Sequence, residues 1–107
     1  MSKKKKLIRA AFRDAVFTRD KHRCVMCGMS GEEQHLDAHH ITDRNEMPNG
    51  GYVKENGISL CPECHVKAEV YHSTDHEDHV EGFLPEDLYQ KVGSSYAKAY
   101  AASERLS

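Results

Sequence analysis

The chain has 107 residues, of which 38% are hydrophobic and 30% charged, with no tryptophan. That length fits a single domain with a thin core, and apolar burial alone would leave such a fold marginal, so a second source of stability is required. The net charge is only −2, but residues 1–23 hold nine Lys or Arg against Asp14 and Asp20, a local +7, which leaves −9 on the remainder.

Residues 1–6, with Lys3, Lys4, Lys5 and Lys6, read as a disordered basic tail. Residues 7–23 read as an N-terminal helical segment. From Leu7 to about Arg19, apolar Ile8, Ala11, Phe12, Ala15 and Val16 fall at helical spacing, and Phe12 and Val16 pack it on the domain. The basic start suggests a secretory signal, but its apolar stretch is short and broken by Arg9, with no small-residue cleavage site following, so a cytosolic protein is expected.

Two cysteine pairs follow, Cys24-x-x-Cys27 and Cys61-x-x-Cys64, and there are no other cysteines. In a reducing compartment disulfides are not expected, and two such pairs with a long excursion between them have the spacing of a four-thiolate zinc site. A redox dithiol would need one pair beside a thioredoxin-like strand and helix, and neither condition holds. The 33 residues between the pairs then become a closed excursion with pinned ends, which makes its segments neighbours.

Within that excursion Leu36–Ile41 alternates as a strand, "TDRNEMPNGG" is a polar loop in which Tyr52 and Val53 just beyond could pair briefly, and Ile58–Leu60 is a second strand. Pro62 sits where a helix could begin. Val66 and Val70 form an i, i+4 pair toward the core, with His65, Glu69 and His72 on the adjoining face. Residues 73–84 read as a polar linker, in which His76 and His79 are exposed, as is His72 at the helix end. Pro85, Glu86 and Asp87 open a C-terminal helix over 85–107 whose stripe runs Leu88, Val92, Tyr96, Tyr100, weakened at Gly93.

The order of "AHHI", "ENGISLC" and "CPECH" inside a paired-cysteine frame resembles the HNH endonuclease family, over roughly residues 24–72. The resemblance implies an α+β fold, with a ββα-metal (His-Me finger) core, a structural zinc on the four cysteines and flanking helices. It further implies that His40 is the general base, that His39 and His65 bind a catalytic divalent cation, and that Asn56 holds the base in place, with Asn45 and Asn49 as competitors for that role. Glu69, one turn after His65, could complete the metal sphere or be solvated. His at position 39, where many relatives have Asp, leaves the metal open among Mg²⁺, Mn²⁺, Ni²⁺ and Zn²⁺, since imidazole suits the last three better than Mg²⁺.

By that likeness the substrate is DNA, cut by activated-water attack to a 5′-phosphate and a 3′-hydroxyl. No membrane partner is expected, and the small size suits a phage or mobile-element protein working in a bacterial host cell. Lys3–Lys6, Arg9 and Arg13 are the expected backbone contacts, since Lys and Arg on phosphates gain from counterion release. Arg44 either clamps a phosphate or pairs with Asp43 or Glu46. A rival reading keeps the zinc frame as a non-catalytic nucleic-acid-binding or protein-interaction module. One difficulty lies in the strand itself: neighbours point to opposite faces, so His39 and His40 cannot both reach one phosphate unless the strand kinks or ends there.

Overall fold

A computed structural model describes residues 3–106, except for the side chain of Lys3. Met1, Ser2 and Ser107 lie outside it, and with them the first two residues of the expected tail and the end of the expected last helix. Helix α1 (Lys3–Arg19) leads into the first cysteine pair. Strand β1 (Asp37–His40) and strand β2 (Gly57–Leu60) follow, then helices α2 (Pro62–Ser73), α3 (Pro85–Lys91) and α4 (Tyr96–Glu104). The fold is α+β, and β1, β2 and α2 together form a ββα unit.

The strands pair antiparallel, His39 opposite Ile58 and His40 opposite Gly57. Opposed residues share a face, so the sheet has two working sides. On one lies α1, in such close contact that a Cβ on Gly57 would sit 2.4 Å from Val16 Cγ2 and 2.8 Å from Phe12 Cε1. Only glycine admits the helix at that distance. On the other lies α2. Arg19 anchors the end of α1 by donating to the carbonyls of Lys54 (2.6 Å) and Gly57 (2.7 Å) while pairing with Asp20. Asp20 in turn accepts the Ser59 N–H at 2.9 Å. Thus one of the nine basic residues of the N-terminal segment serves the frame rather than a partner.

Four expectations are corrected. Lys3–Lys6 are not a disordered tail but the first turn of α1, because lysine is a good helix former and no Gly or Pro interrupts the run. The segment from Thr42 to Asn56 gives no Tyr52–Val53 pairing and folds instead as 3₁₀ turns at Arg44–Glu46 and Lys54–Asn56 on either side of a turn over Pro48–Gly51, where Asn49 (φ 54°) and Gly50 (φ 82°) are left-handed. Val66 is 68% exposed, so the Val66–Val70 pair does not face the core. The cysteine frame turns Cys64 and Ala68 inward instead, and His65, Glu69 and His72 flank them. The C-terminal helix is two helices. Gly93, at φ 67°, ends α3, and Ser95 caps α4 by accepting the Lys98 N–H at 3.1 Å.

Between α2 and α3 the polar segment loops out, and Asp87 fixes the next start by accepting the Leu84 N–H at 3.1 Å. The core holds Ile41, Ile58, Leu60, Leu88, Tyr89 and Ala99 together with Cys24, Cys61 and Cys64. Among the described residues no helix is long and apolar enough to cross a membrane.

Candidate metal centre and active site

The four cysteine sulfurs lie within 4.8 Å of one another. The first pair sits in a tight turn closed by Gly28 N–H to Cys24 carbonyl at 2.8 Å, with Gly28 at φ 81°; the second pair opens α2, Cys61 serving as its cap. Cys27 Sγ and Cys61 Sγ are 3.6 Å apart, close to the edge of about 3.75 Å that a tetrahedron with Zn–S near 2.3 Å demands. Burial works upward on the Cys24 thiol, but the backbone N–H groups of Cys61, Cys27 and Met26 outweigh it and bring it down to about 7. Burial and the neighbouring sulfurs push Cys64 the other way. Four thiols packed so closely shed their protons together only around a cation, and the four cysteines are placed to form a zinc site.

A second donor cluster stands on the α2 side of the sheet. His39 Nδ1 is 3.2 Å and His65 Nε2 3.4 Å from the same oxygen, Glu69 Oε1. Those separations match the edges of about 3.0–3.4 Å expected between ligands of one ion at about 2.1 Å, and the three donors also satisfy a mutual 4.8 Å limit. Burial pushes the His39 imidazole below its ordinary value, while the hydrogen bond with His39 outweighs burial and holds the Glu69 carboxyl down to about 2. Two imidazoles and a carboxylate are a fitting set for a divalent transition metal.

Two more residues hold this cluster in place: Asp37, which sequence reasoning passed over, and His72, which it set on the face of His65 and Glu69 but expected to be exposed. Asp37 Oδ2 accepts from His65 Nδ1 at 3.0 Å, which fixes the tautomer and leaves Nε2 facing Glu69. His72 instead stacks on His39 with centroids 5.4 Å apart, donates from Nε2 to the His40 carbonyl at 3.2 Å, and has Nδ1 fully buried. The i, i+7 spacing from His65 was the available signal, since it puts His72 on the same helix face.

His40 faces the other way, as strand alternation requires. Its ring stacks on Phe12 at 4.6 Å and meets the Tyr52 edge at 4.7 Å. Burial pushes its pKa down to about 4, so the imidazole is neutral at pH 7. Nevertheless the strand ends at His40, and both histidines border one cavity of about 310 Å³ with Arg44, His65, Glu69 and His72. The strand does not kink; it stops, and the two faces open into the same mouth.

Asn56 is wholly buried. Its Nδ2 donates to the carbonyls of Thr42 (3.0 Å) and Gly51 (3.2 Å), and its Oδ1 accepts from Thr42 N–H (2.9 Å) and the Tyr89 hydroxyl (2.8 Å). It therefore clamps the backbone two residues beyond His40 and touches nothing in the cavity. Asn45 lies in the loop, and Asn49 is taken up by the carbonyls of Ser103 and Leu106. Tyr89, from α3, carries no sequence signal of this role: having donated to Asn56, its oxygen accepts the Thr42 hydroxyl at 2.6 Å. Tyr89→Phe strands that buried hydroxyl and removes one donor from Asn56. The expected cost is about 1–3 kcal/mol, read as a lower urea midpoint with an unchanged slope; an unaltered midpoint would contradict the clamp.

On the cation side, Arg44 donates to the Tyr52 hydroxyl at 3.4 Å, and Glu46 pairs with His76 at 3.2 Å, so neither forms the Arg44–Glu46 bridge. Arg9 lies 5.8 Å from the Tyr52 ring centroid. Arg13 is exposed on the same helix.

Residues 24–71 match the family model described as HNH endonuclease. The match covers 48 of the 107 residues. It spans both cysteine pairs, His39, His40, Asn56, His65 and Glu69, and stops one residue short of His72. Neither a curated protein nor a solved structure matches the chain.

Proposed function

We propose that the protein is an endonuclease that hydrolyses phosphodiester bonds of DNA, with a divalent cation held by His39, His65 and Glu69. The observation that carries this reading is the convergence of those three donors in the one cavity that His40 and Arg44 also border. The HNH-family match supports a nucleic-acid substrate. The ion of Cys24, Cys27, Cys61 and Cys64 is structural in this reading, because four protein ligands leave no open position.

When bound, the catalytic cation stabilises charge on the phosphate and on the leaving oxygen. The chain's own groups supply the remaining requirements. His40, with Nε2 enclosed and unpartnered, accepts a proton from the attacking water through Nδ1. As the water oxygen bonds to phosphorus, the P–O3′ bond breaks, and the departing oxygen takes its proton from solvent. Asn56 acts as a positioning residue, because it fixes the backbone that carries His40. Asp37 keeps the proton on His65 Nδ1. Arg44 offers charge-assisted hydrogen bonds to a phosphate oxygen.

The zinc-loaded protein incubated with supercoiled plasmid tests the proposal across Mg²⁺, Mn²⁺, Ni²⁺ and Zn²⁺. Nicking or cutting is expected with an added transition metal and less with Mg²⁺, which suits imidazole poorly. A protein inert with every ion is the rival, a zinc-stabilised binding module.

A further inference from the structure

The catalytic cavity, bordered by Asp43 and Arg44 as well as by the histidines, adjoins two further hollows of different charge. At the Arg44 end it adjoins a groove of about 540 Å³ lined by Lys4, Ile8, Arg9, Asn49 and Tyr52, with Arg44 shared between the two. Tyr52 organises this junction. Its ring touches His40 at one edge, its hydroxyl accepts from Arg44, and Arg9 lies over its face. Burial works upward on that hydroxyl, but the two guanidiniums outweigh it and keep it below its ordinary value.

At the His72 end the surroundings reverse. His72 is shared with a small cavity bounded by Glu46, Tyr71, His76 and Tyr96. The chain from Ala68 to Gln90 contains no Lys or Arg, and beyond His72 it presents exposed Asp75, Glu77 and Asp78. A polyanion threading the cavity is attracted on the Arg44 side and repelled on the other, an effect that salt screens beyond the Debye length of about 8–10 Å.

Resting on the nuclease reading above, we propose that the strand backbone is gripped on one flank of the cut only, by a phosphate track running from Arg44 to Arg9 and Lys4, with Tyr52 as its shared anchor. The flank toward Glu46 and Asp75 leaves the protein without phosphate contacts. The lopsided charge of the sequence thus becomes a directional footprint, and α1 is part of the substrate site rather than a flanking decoration.

Binding of a duplex oligonucleotide by the zinc-loaded protein, without a second metal, is measured by fluorescence anisotropy from about 50 to 200 mM salt. Each lost phosphate contact lowers the slope of log K against log salt by about 0.9, so Arg9→Ala with Arg44→Ala is expected to lower it by about 1.8. Asp75→Asn with Glu77→Gln, at the opposite end, is expected to leave the slope unchanged and affinity within about threefold. An unaltered slope in the arginine pair, or a tenfold tightening in the carboxylate pair, overturns the proposal. Where cutting is present, end-labelled duplexes give a ladder that runs close to one terminus and stops several nucleotides short of the other; a ladder equally truncated at both ends also overturns it. The expected slopes from a protein that cuts nothing leave the track standing and sink the nuclease reading instead.

Discussion

Removing zinc from the four-cysteine site is expected to unfold the whole domain rather than to loosen one loop. Cys24, Cys61 and Cys64 are buried members of the same core as Ile58, Leu60 and Ala68, so the site is inside the structure that it stabilises. It also ties the turn after α1 to the junction of β2 and α2, with Val25 N–H donating to the Ser59 carbonyl at 3.0 Å beside it. A structural zinc contributes on the order of 10–16 kcal/mol of apparent binding energy, as much as the whole stability of an ordinary domain at about 5–15 kcal/mol. Without it four thiols, three of them buried, share a space sized for one cation. Titration with a strong chelator, followed by far-ultraviolet circular dichroism and by released zinc, is expected to show helix loss in step with metal loss. Zinc release that leaves the spectrum and the melting temperature unchanged would make the site peripheral.

The cysteine spacing, the strand at 36–41 and the ββα order were all legible in the sequence because each depends on local chemistry: thiol pairs, alternation, a proline at a helix start. So was the grouping of His65 and Glu69, one helical turn apart. What escaped was fixed by tertiary contacts that no local pattern encodes. Val66 reads as a core residue until the zinc frame dictates which side of α2 turns inward. Tyr89 reads as one more residue beside an apolar stripe, yet it reaches across from α3 to complete the hydrogen bonds of Asn56. The puzzle of adjacent histidines also needed the third dimension. They do face opposite sides, and the termination of β1 at His40, held by His72 on its carbonyl and Asn56 on Thr42, lets both border one cavity.

Replacing His40 is expected to lower cleavage by about 10²–10⁴, the usual share of a general base, while both metal sites remain. The prediction is sharp because His40 is not among the donors that gather around Glu69. His40→Ala is an imperfect probe, since the ring is packed against Phe12 and Tyr52, and emptying that space also costs stability. His40→Gln keeps much of the volume and a hydrogen-bonding tip but cannot take a proton near pH 7. If His40 acts by accepting a proton, the two variants lose activity alike although their melting temperatures differ. Were its contribution only to fill space between α1 and the sheet, His40→Gln would retain activity in proportion to its stability. Measured beside Asn56→Ala, the pair also separates base from support. Loss of Asn56 frees the Thr42 backbone and lowers stability and rate together, whereas His40→Gln lowers rate far more than stability. A His40→Gln protein that binds both metals, melts near the parent and cuts at the parent rate would end the assignment of the base.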